Sequence, residues 1–196
     1  MSHAMPEGCD PVQHLKPAFW VTAILICVLD LTSKSWVFGP SCLNVPMRNV
    51  DTMADFNRLP RTNRPLIGES VRLVAMLNPG MMWGTFHEYS SVLKVLRLVA
   101  VFVILYLLRG FGAEQRMAHV ALGGILGGAV GNITDSFLFP GVRDFLEVDL
   151  DIRFFDPFPA FNVADSAICV GVAALALGLI RTRSRTVDER RVLETQ

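Results

Sequence analysis

The chain has 196 residues, with 18 Lys plus Arg and 18 Asp plus Glu, so its formal net charge is zero. Apolar residues make up 52 % and charged ones only 18 %, which excludes a disordered chain, a coiled coil and a collagen-like chain and leaves no electrostatic footprint for nucleic acid. Cys9, Cys27, Cys42 and Cys169 form no CxxC pair and no Cys/His spacing for zinc, so neither a disulfide framework nor a structural metal is expected.

Four stretches come near the ~20 apolar residues that a bilayer core requires. The first, 17–38, is interrupted by Asp30 and Lys34. Those two charges and the poor fit of Gly39-Pro40 to a processing box argue for a stable span rather than a cleaved signal peptide. The segment 44–70 is rich in Asn, Arg and Pro and reads as an exposed loop. Residues 71–77 have the pattern of a short strand. The second span, 92–108, holds Lys94 and Arg97 near its start. The third, 117–135, carries no charge before Asp135. Its Gly123, Gly127 and Gly131, and likewise Gly124 and Gly128, are four apart, a spacing that admits close approach of another helix backbone. Residues 142–155 alternate in part and read as a second strand. The fourth span, 160–180, has Asp165 as its only charge.

Runs of this length with so few charges are rare in soluble folds. The expected fold is an all-α membrane protein with four transmembrane helices and a small extracytoplasmic β-containing subdomain. Residues 1–181 would form one membrane-embedded domain and 182–196 a cytoplasmic polar tail. Lys and Arg are about twice as dense in 1–16, 109–116 and 181–196 as in 39–91 and 137–159. The positive-inside rule then puts both termini in the cytoplasm and the two long polar segments, 39–91 and 137–159, outside.

Ionisable residues inside a span cost a few kcal/mol on insertion scales, on the order of 3 at the helix centre, and normally mark function or a buried pair. Here Asp30, Lys34, Asn132 and Asp135 sit toward the outer ends of outward-running spans. Asn162 and Asp165 sit at the outer start of the inward-running one, so all the intramembrane acids collect in one leaflet. Asp30 and Lys34 are i,i+4 with the acid first, the favourable order for an ion pair. Asn132/Asp135 and Asn162/Asp165 are each i,i+3, presenting an amide and a carboxylate from one helix face. The adjoining loop 137–159 carries Asp144, Glu147, Asp149, Asp151 and Asp156. A carboxylate from this loop meeting Asp165 would share a proton with it, because two close carboxylates do not both ionise easily. Which of the five is the partner is left open by spacing alone.

GGAVGNITD (127–135), GVRDF (141–145) and FNVADSAI (161–168) resemble the signature blocks of the bacterial lipoprotein signal peptidase family, also called signal peptidase II. DLTSK (30–34) resembles that family's first-helix block, and LNPGMMWG (77–84) its Asn-x-Gly block before the second helix. The resemblance covers most of the chain, with the blocks in the family's order. It implies an intramembrane aspartic endopeptidase that cuts prolipoproteins just before a diacylglyceryl-modified cysteine. It implies Asp144 and Asp165 as the catalytic pair. Asn78, Asn132, Asp135, Asn162, Asp30 and Lys34 would bind substrate or support the site. Two departures stand out. Ser136 follows Asp135 where the family usually has Arg, with Arg143 as a candidate to take over that arginine's contacts. The segment 39–77 is longer than usual.

The expected mechanism is attack by a water activated by the acid pair, with no metal and no cofactor. His3, His14, His87 and His119 form no ligand cluster in sequence. The expected partners are diacylglyceryl-modified prolipoproteins and membrane lipids, in the bacterial cell membrane with the site facing outward. Phe137, Phe139, Phe154, Phe155 and Phe158 are expected at the interface. A proton- or ion-coupled transporter would need acids along a path through both leaflets, and the inner halves of the spans hold none. A non-catalytic scaffold built on the glycine-rich helix would tolerate neutralisation of Asp165.

Overall fold

The computed structural model describes residues 17–68, 70–80, 90–112, 115–149 and 158–194, with side chains left out at 90 and 179–194. Helix α1 (Pro17–Phe38) opens on a proline, whose fixed φ suits a first helical position. It stops before Gly39-Pro40, since proline does not continue a helix. A 3₁₀ turn (Met47–Asn49) and a short helix α2 (Met53–Asn57) follow. In α2 the Thr52 hydroxyl accepts from the Asp55 amide and the Asp55 carboxylate accepts from the Thr52 amide, a complete capping box. Strand β1 (Asn63–Ile67) comes next. The segment read as an open loop over 44–70 thus contains a 3₁₀ turn, a capped helix and a strand. Their local signals are short and carry no long apolar period.

Strands β2 (Val71–Asn78) and β3 (Val142–Val148) match the two strand expectations at 71–77 and at the start of 142–155. The three strands form one antiparallel sheet in the order β1-β2-β3. Pro65 lies in β1, the edge strand, where a missing N–H is tolerated. Helices α3 (Ser90–Leu107), α4 (Arg116–Leu138) and α5 (Val163–Glu194) complete the chain.

Among the described residues three helical stretches are long and apolar enough to cross a membrane: Pro17–Phe38, Ser91–Gly110 and Arg116–Leu138. The apolar part of α5, Val163–Gly178, is shorter than those three. Beyond it α5 continues as helix through the polar tail to Glu194.

Helix α4 is the hub, flanked by α1, α3 and α5. Its glycines explain how. A Cβ on Gly127 would overlap the Ala23 carbonyl of α1, and one on Gly128 would come 2.6 Å from the Ala164 carbonyl of α5. The two interleaved glycine rows therefore seat two different helices at backbone contact. Phe19 and Ala23 of α1, Ile104 of α3 and Leu122, Leu126 and Ala129 of α4 form the bundle core. A second core joins Val37 and Phe38 at the end of α1 to Leu43, Leu73 and Phe145, fixing the sheet onto that end of the bundle. The C-terminal ends of α1 and α4, the N-terminal ends of α3 and α5, and the Asn78/Val142 end of the sheet converge at one place.

Candidate active site

The buried face of α4 ends in Asn132, Asp135 and Ser136. Asp135 and Ser136 are three and four residues after Asn132, so both share its face of the helix. Lys34 of α1 reaches that face. Its ammonium donates to Asp30 Oδ2 at 2.6 Å and Asn132 Oδ1 at 2.9 Å, and lies 3.3 Å from Asp135 Oδ2. Lys34, Asp30 and Asp135 are each 0 % exposed. Asp30 reaches further, accepting the Ala164 amide in the first turn of α5 at 3.0 Å. A carboxylate there satisfies an orphan N–H and complements the positive end of the helix. Gly131 makes room for it, because a Cβ at that position would collide with the Asp30 carboxylate.

Arg143 of β3 holds Asp135 from the other side. Its backbone N–H donates to Oδ2 at 2.9 Å, and its guanidinium donates to Oδ1 at 3.1 and 2.7 Å. The guanidinium also lies over the ring of Phe139 at 4.5 Å. Two buried cations, Lys34 and Arg143, are thus matched by two buried carboxylates, Asp30 and Asp135.

Asp144 follows Arg143 and points to the opposite face of β3, as strand alternation requires. It is 2 % exposed. Asn162 Nδ2 donates to its Oδ1 at 2.7 Å and Asn78 Nδ2 to its Oδ2 at 3.2 Å. Asn78 is diagonal to Asp144 across the β2–β3 ladder, in which Asn78 pairs with Val142. Burial, reinforced by the Asp165 charge, pushes the Asp144 carboxyl up to about 7, against the opposing hydrogen bonds from Asn78 and Asn162.

Asp165 lies in the first turn of α5 and forms a reciprocal cap with Asn162. The Asn162 amide N–H donates to Asp165 Oδ2 at 3.2 Å, and the Asp165 N–H donates to Asn162 Oδ1 at 3.0 Å. Its other oxygen accepts from Asn132 Nδ2 at 2.8 Å. Asp165 is partly exposed, unlike Asp144. The Asn132 and Asn162 amides are themselves joined, Asn162 Nδ2 to Asn132 Oδ1 at 3.2 Å. The two carboxylates are therefore linked through a pair of amides, each amide held by a helix end.

The structure brings Asp30, Lys34, Asn78, Asn132, Asp135, Asp144, Asn162 and Asp165 into one hydrogen-bonded cluster. Of the other loop acids, Glu147 pairs with Arg72 at 2.7 Å in the sheet, while Asp151 and Asp156 lie outside the described residues, as do Phe154 and Phe155. Sequence reasoning missed two contacts. Arg143 does not take the place beside Ser136 but clamps Asp135. The cation at Ser136 is Arg97 of α3, donating to Ser136 Oγ at 2.6 Å and to the Gly80 carbonyl at 3.1 Å. The signal for it in the sequence is Arg97 itself, a cation within an apolar run of span length.

Residues 22–181 match the family described as Signal peptidase (SPase) II. A lipoprotein signal peptidase of Gloeobacter violaceus is 36 % identical over 173 residues, covering 87 % of this chain and 86 % of its own. One from Shouchella clausii is 34 % identical over 116 residues, covering 59 % of this chain and 73 % of its own. Two solved bacterial membrane enzyme structures share the fold at 19 % identity. Their TM-scores are 0.67, covering 84 % of this chain and 88 % of the other, and 0.63, covering 81 % and 90 %.

Proposed function

This chain belongs to the signal peptidase II family, and from that membership and the geometry of the acid cluster we propose that it is an aspartic endopeptidase acting at the outer face of a bacterial membrane. It is a peptidase of lipoprotein processing, and its substrates are prolipoproteins. The scissile bond is the one just before the diacylglyceryl-modified cysteine.

One observation carries the aspartic reading. Asp144 and Asp165 are the two acids of the cluster with no cation hydrogen-bonded to either among the described residues. They are joined instead through the neutral amides of Asn162 and Asn132. Acids used as structural counter-ions look different, as Asp30 and Asp135 do with Lys34 and Arg143.

With a carboxyl pushed up to about 7, buried Asp144 holds the shared proton near neutral pH. Its partner Asp165, which is the more exposed of the two, takes a proton from a water held between them. The water oxygen attacks the scissile carbonyl. Asp144 gives its proton toward the developing oxyanion, so that charge never stands unpaired in a low-dielectric site. The proton gained by Asp165 then passes to the amine as the peptide bond breaks. Asn162 and Asn132 hold both carboxylates in place through the cycle. As the C–N bond breaks, a hydroxyl of the tetrahedral intermediate returns its proton to Asp144 and becomes the carbonyl of the new carboxylic acid, which restores the resting protonation state.

The same reading makes α5 the fourth membrane crossing and puts both termini in the cytoplasm. Residues 1–181 form the membrane-embedded domain and 182–196 the tail. The signal helix and acyl chains of the substrate then lie in the lipid, which delivers the cleavage site at the depth of the acid pair. Purified wild type should cleave a diacylglyceryl-modified prolipoprotein in detergent, while Asp144→Asn and Asp165→Asn should leave it intact with the proteins folded. Substantial cleavage by either variant would refute the pair.

A further inference from the structure

The cluster's charges balance only when one more residue is counted. Lys34 and Arg143 are matched by Asp30 and Asp135. Asp144 and Asp165 remain, and a pair sharing one proton carries a single negative charge. Arg97 projects from α3 into the same end of the bundle. Its two described hydrogen-bond partners, Ser136 Oγ and the Gly80 carbonyl, are both neutral. No carboxylate lies within ion-pair distance of it among the described residues, yet both of its anchors lead to side chains that hold the pair, Ser136 to Asn132 and Gly80 to Asn78. A guanidinium is always charged, and holding one beside neutral partners inside a membrane span is costly unless a counter-charge lies nearby.

We propose that Arg97 is a positioning residue of this peptidase, set by Ser136 and the Gly80 carbonyl as the counter-ion that keeps the Asp144/Asp165 pair singly ionised at neutral pH. Its anchors fit the task. Ser136 Oγ donates in turn to the Asn132 carbonyl at 2.7 Å, one turn from the amide that holds Asp165. Gly80 N donates to Asn78 Oδ1 at 3.1 Å, and Asn78 holds Asp144. The guanidinium therefore ties together the supports of both acids without touching either one. The groups facing the pair are Asp30 and Lys34 from α1, Asp135 from α4 and Arg143 from β3. These four form two cation–carboxylate pairs with no net charge, although the Lys34 ammonium also acts on Asp144, and Arg97 is the cation at this end of the bundle with no carboxylate of its own among the described residues.

The proposal rests on the aspartic reading, and its test separates the two. Removing the cation makes each carboxylate hold its proton more tightly, so both limbs of a bell-shaped pH–rate profile move to higher pH. In Arg97→Gln the shift should be about one unit, the low end for loss of a nearby opposite charge. Arg97→Lys keeps the charge and should keep the profile in place at a reduced rate. Moving the cation to α4, as Arg97→Gln with Ser136→Arg, should bring the profile back toward wild type. A role limited to bracing the fold would lower the rate in Arg97→Gln without moving the profile, and that result overturns the proposal. A second readout needs no substrate. Carbon-13 NMR of the aspartate carboxyls, with Asp144 assigned by its loss in Asp144→Asn, should show its titration midpoint rise by about one unit in Arg97→Gln. An unmoved midpoint overturns the proposal even if wild type proves to cleave. If wild type fails to cleave, the peptidase reading falls, and the midpoint still decides for or against Arg97 as counter-ion.

Discussion

Replacing Asp144 by Asn should change stability with opposite signs at low and high pH. An acid whose folded pKa lies above its unfolded value binds a proton on folding between the two values, so stability falls as pH rises through that window. For Asp144 the window runs from 3.8 to about 7. At ~1.4 kcal/mol per unit, the burden on the wild type is ~4 kcal/mol above pH 7 and nearly nil at pH 4. Asparagine does not titrate and removes that burden. It also offers only one acceptor oxygen where Asp144 receives N–H groups from Asn78 and Asn162, and a mismatched buried donor costs ~1–3 kcal/mol. The variant should therefore be less stable than wild type by ~1–3 kcal/mol at pH 4 and more stable by a similar amount at pH 8. At ~2–4 °C per kcal/mol for a chain of this size, the swing in Tm difference is ~8–16 °C. Thermal unfolding of both proteins in one detergent, followed by circular dichroism across that pH range, measures it. A Tm difference that stays constant with pH would refute both the burial argument and the protonated role given to Asp144.

Lys34→Met should leave Asp30 and Asp135 without their shared cation and cost ~3–5 kcal/mol. Adding Asp30→Asn to it should recover part of that loss in the same unfolding measurement. Gly127→Ala places a methyl against the Ala23 carbonyl and should cost ~1–3 kcal/mol by forcing α1 from α4. Gly110→Ala meets nothing within 4 Å and should unfold with wild type. Thr52→Ala removes the α2 capping box and should lower stability by ~1 kcal/mol. It should leave cleavage of a prolipoprotein unchanged, since the hydrogen bonds that hold the acid cluster among the described residues come from other elements.

The parts of the fold legible in the sequence are those governed by strong and simple physics. A bilayer forces long apolar runs, so α1, α3 and α4 are plain from composition and length. Polar residues in such runs are expensive, so Asp30, Lys34, Asn132, Asp135, Asn162 and Asp165 stand out against their surroundings. Their common depth follows from helix direction and a rise of ~1.5 Å per residue. Strands β2 and β3 show through their β-branched and aromatic residues. The segment 44–70 did not show, because a five-residue capped helix and an edge strand that is exposed along its whole length leave no periodic apolar trace.

Partner choice inside the cluster was the other illegible part. Spacing put Lys34 beside Asp30, which the structure bears out at 2.6 Å. It gave no hint that the same ammonium bonds Asn132 from a chain distance of 98 residues. Nor did it show that Arg143 and Asp144, adjacent in sequence, serve opposite faces of one strand. Arg143 neutralises Asp135 and completes the balanced set of Lys34, Asp30, Asp135 and Arg143. Asp144 is left to a network of amides, which hold a carboxylate in place without supplying a full positive charge. On the proposed reading, that division gives one site both a fixed scaffold and a labile proton. Each buried cation is spent on a structural acid, and the acids proposed for chemistry are held by neutral donors that permit protonation. Charge assignment of this kind follows from three-dimensional pairing, and no one-dimensional spacing rule encodes it.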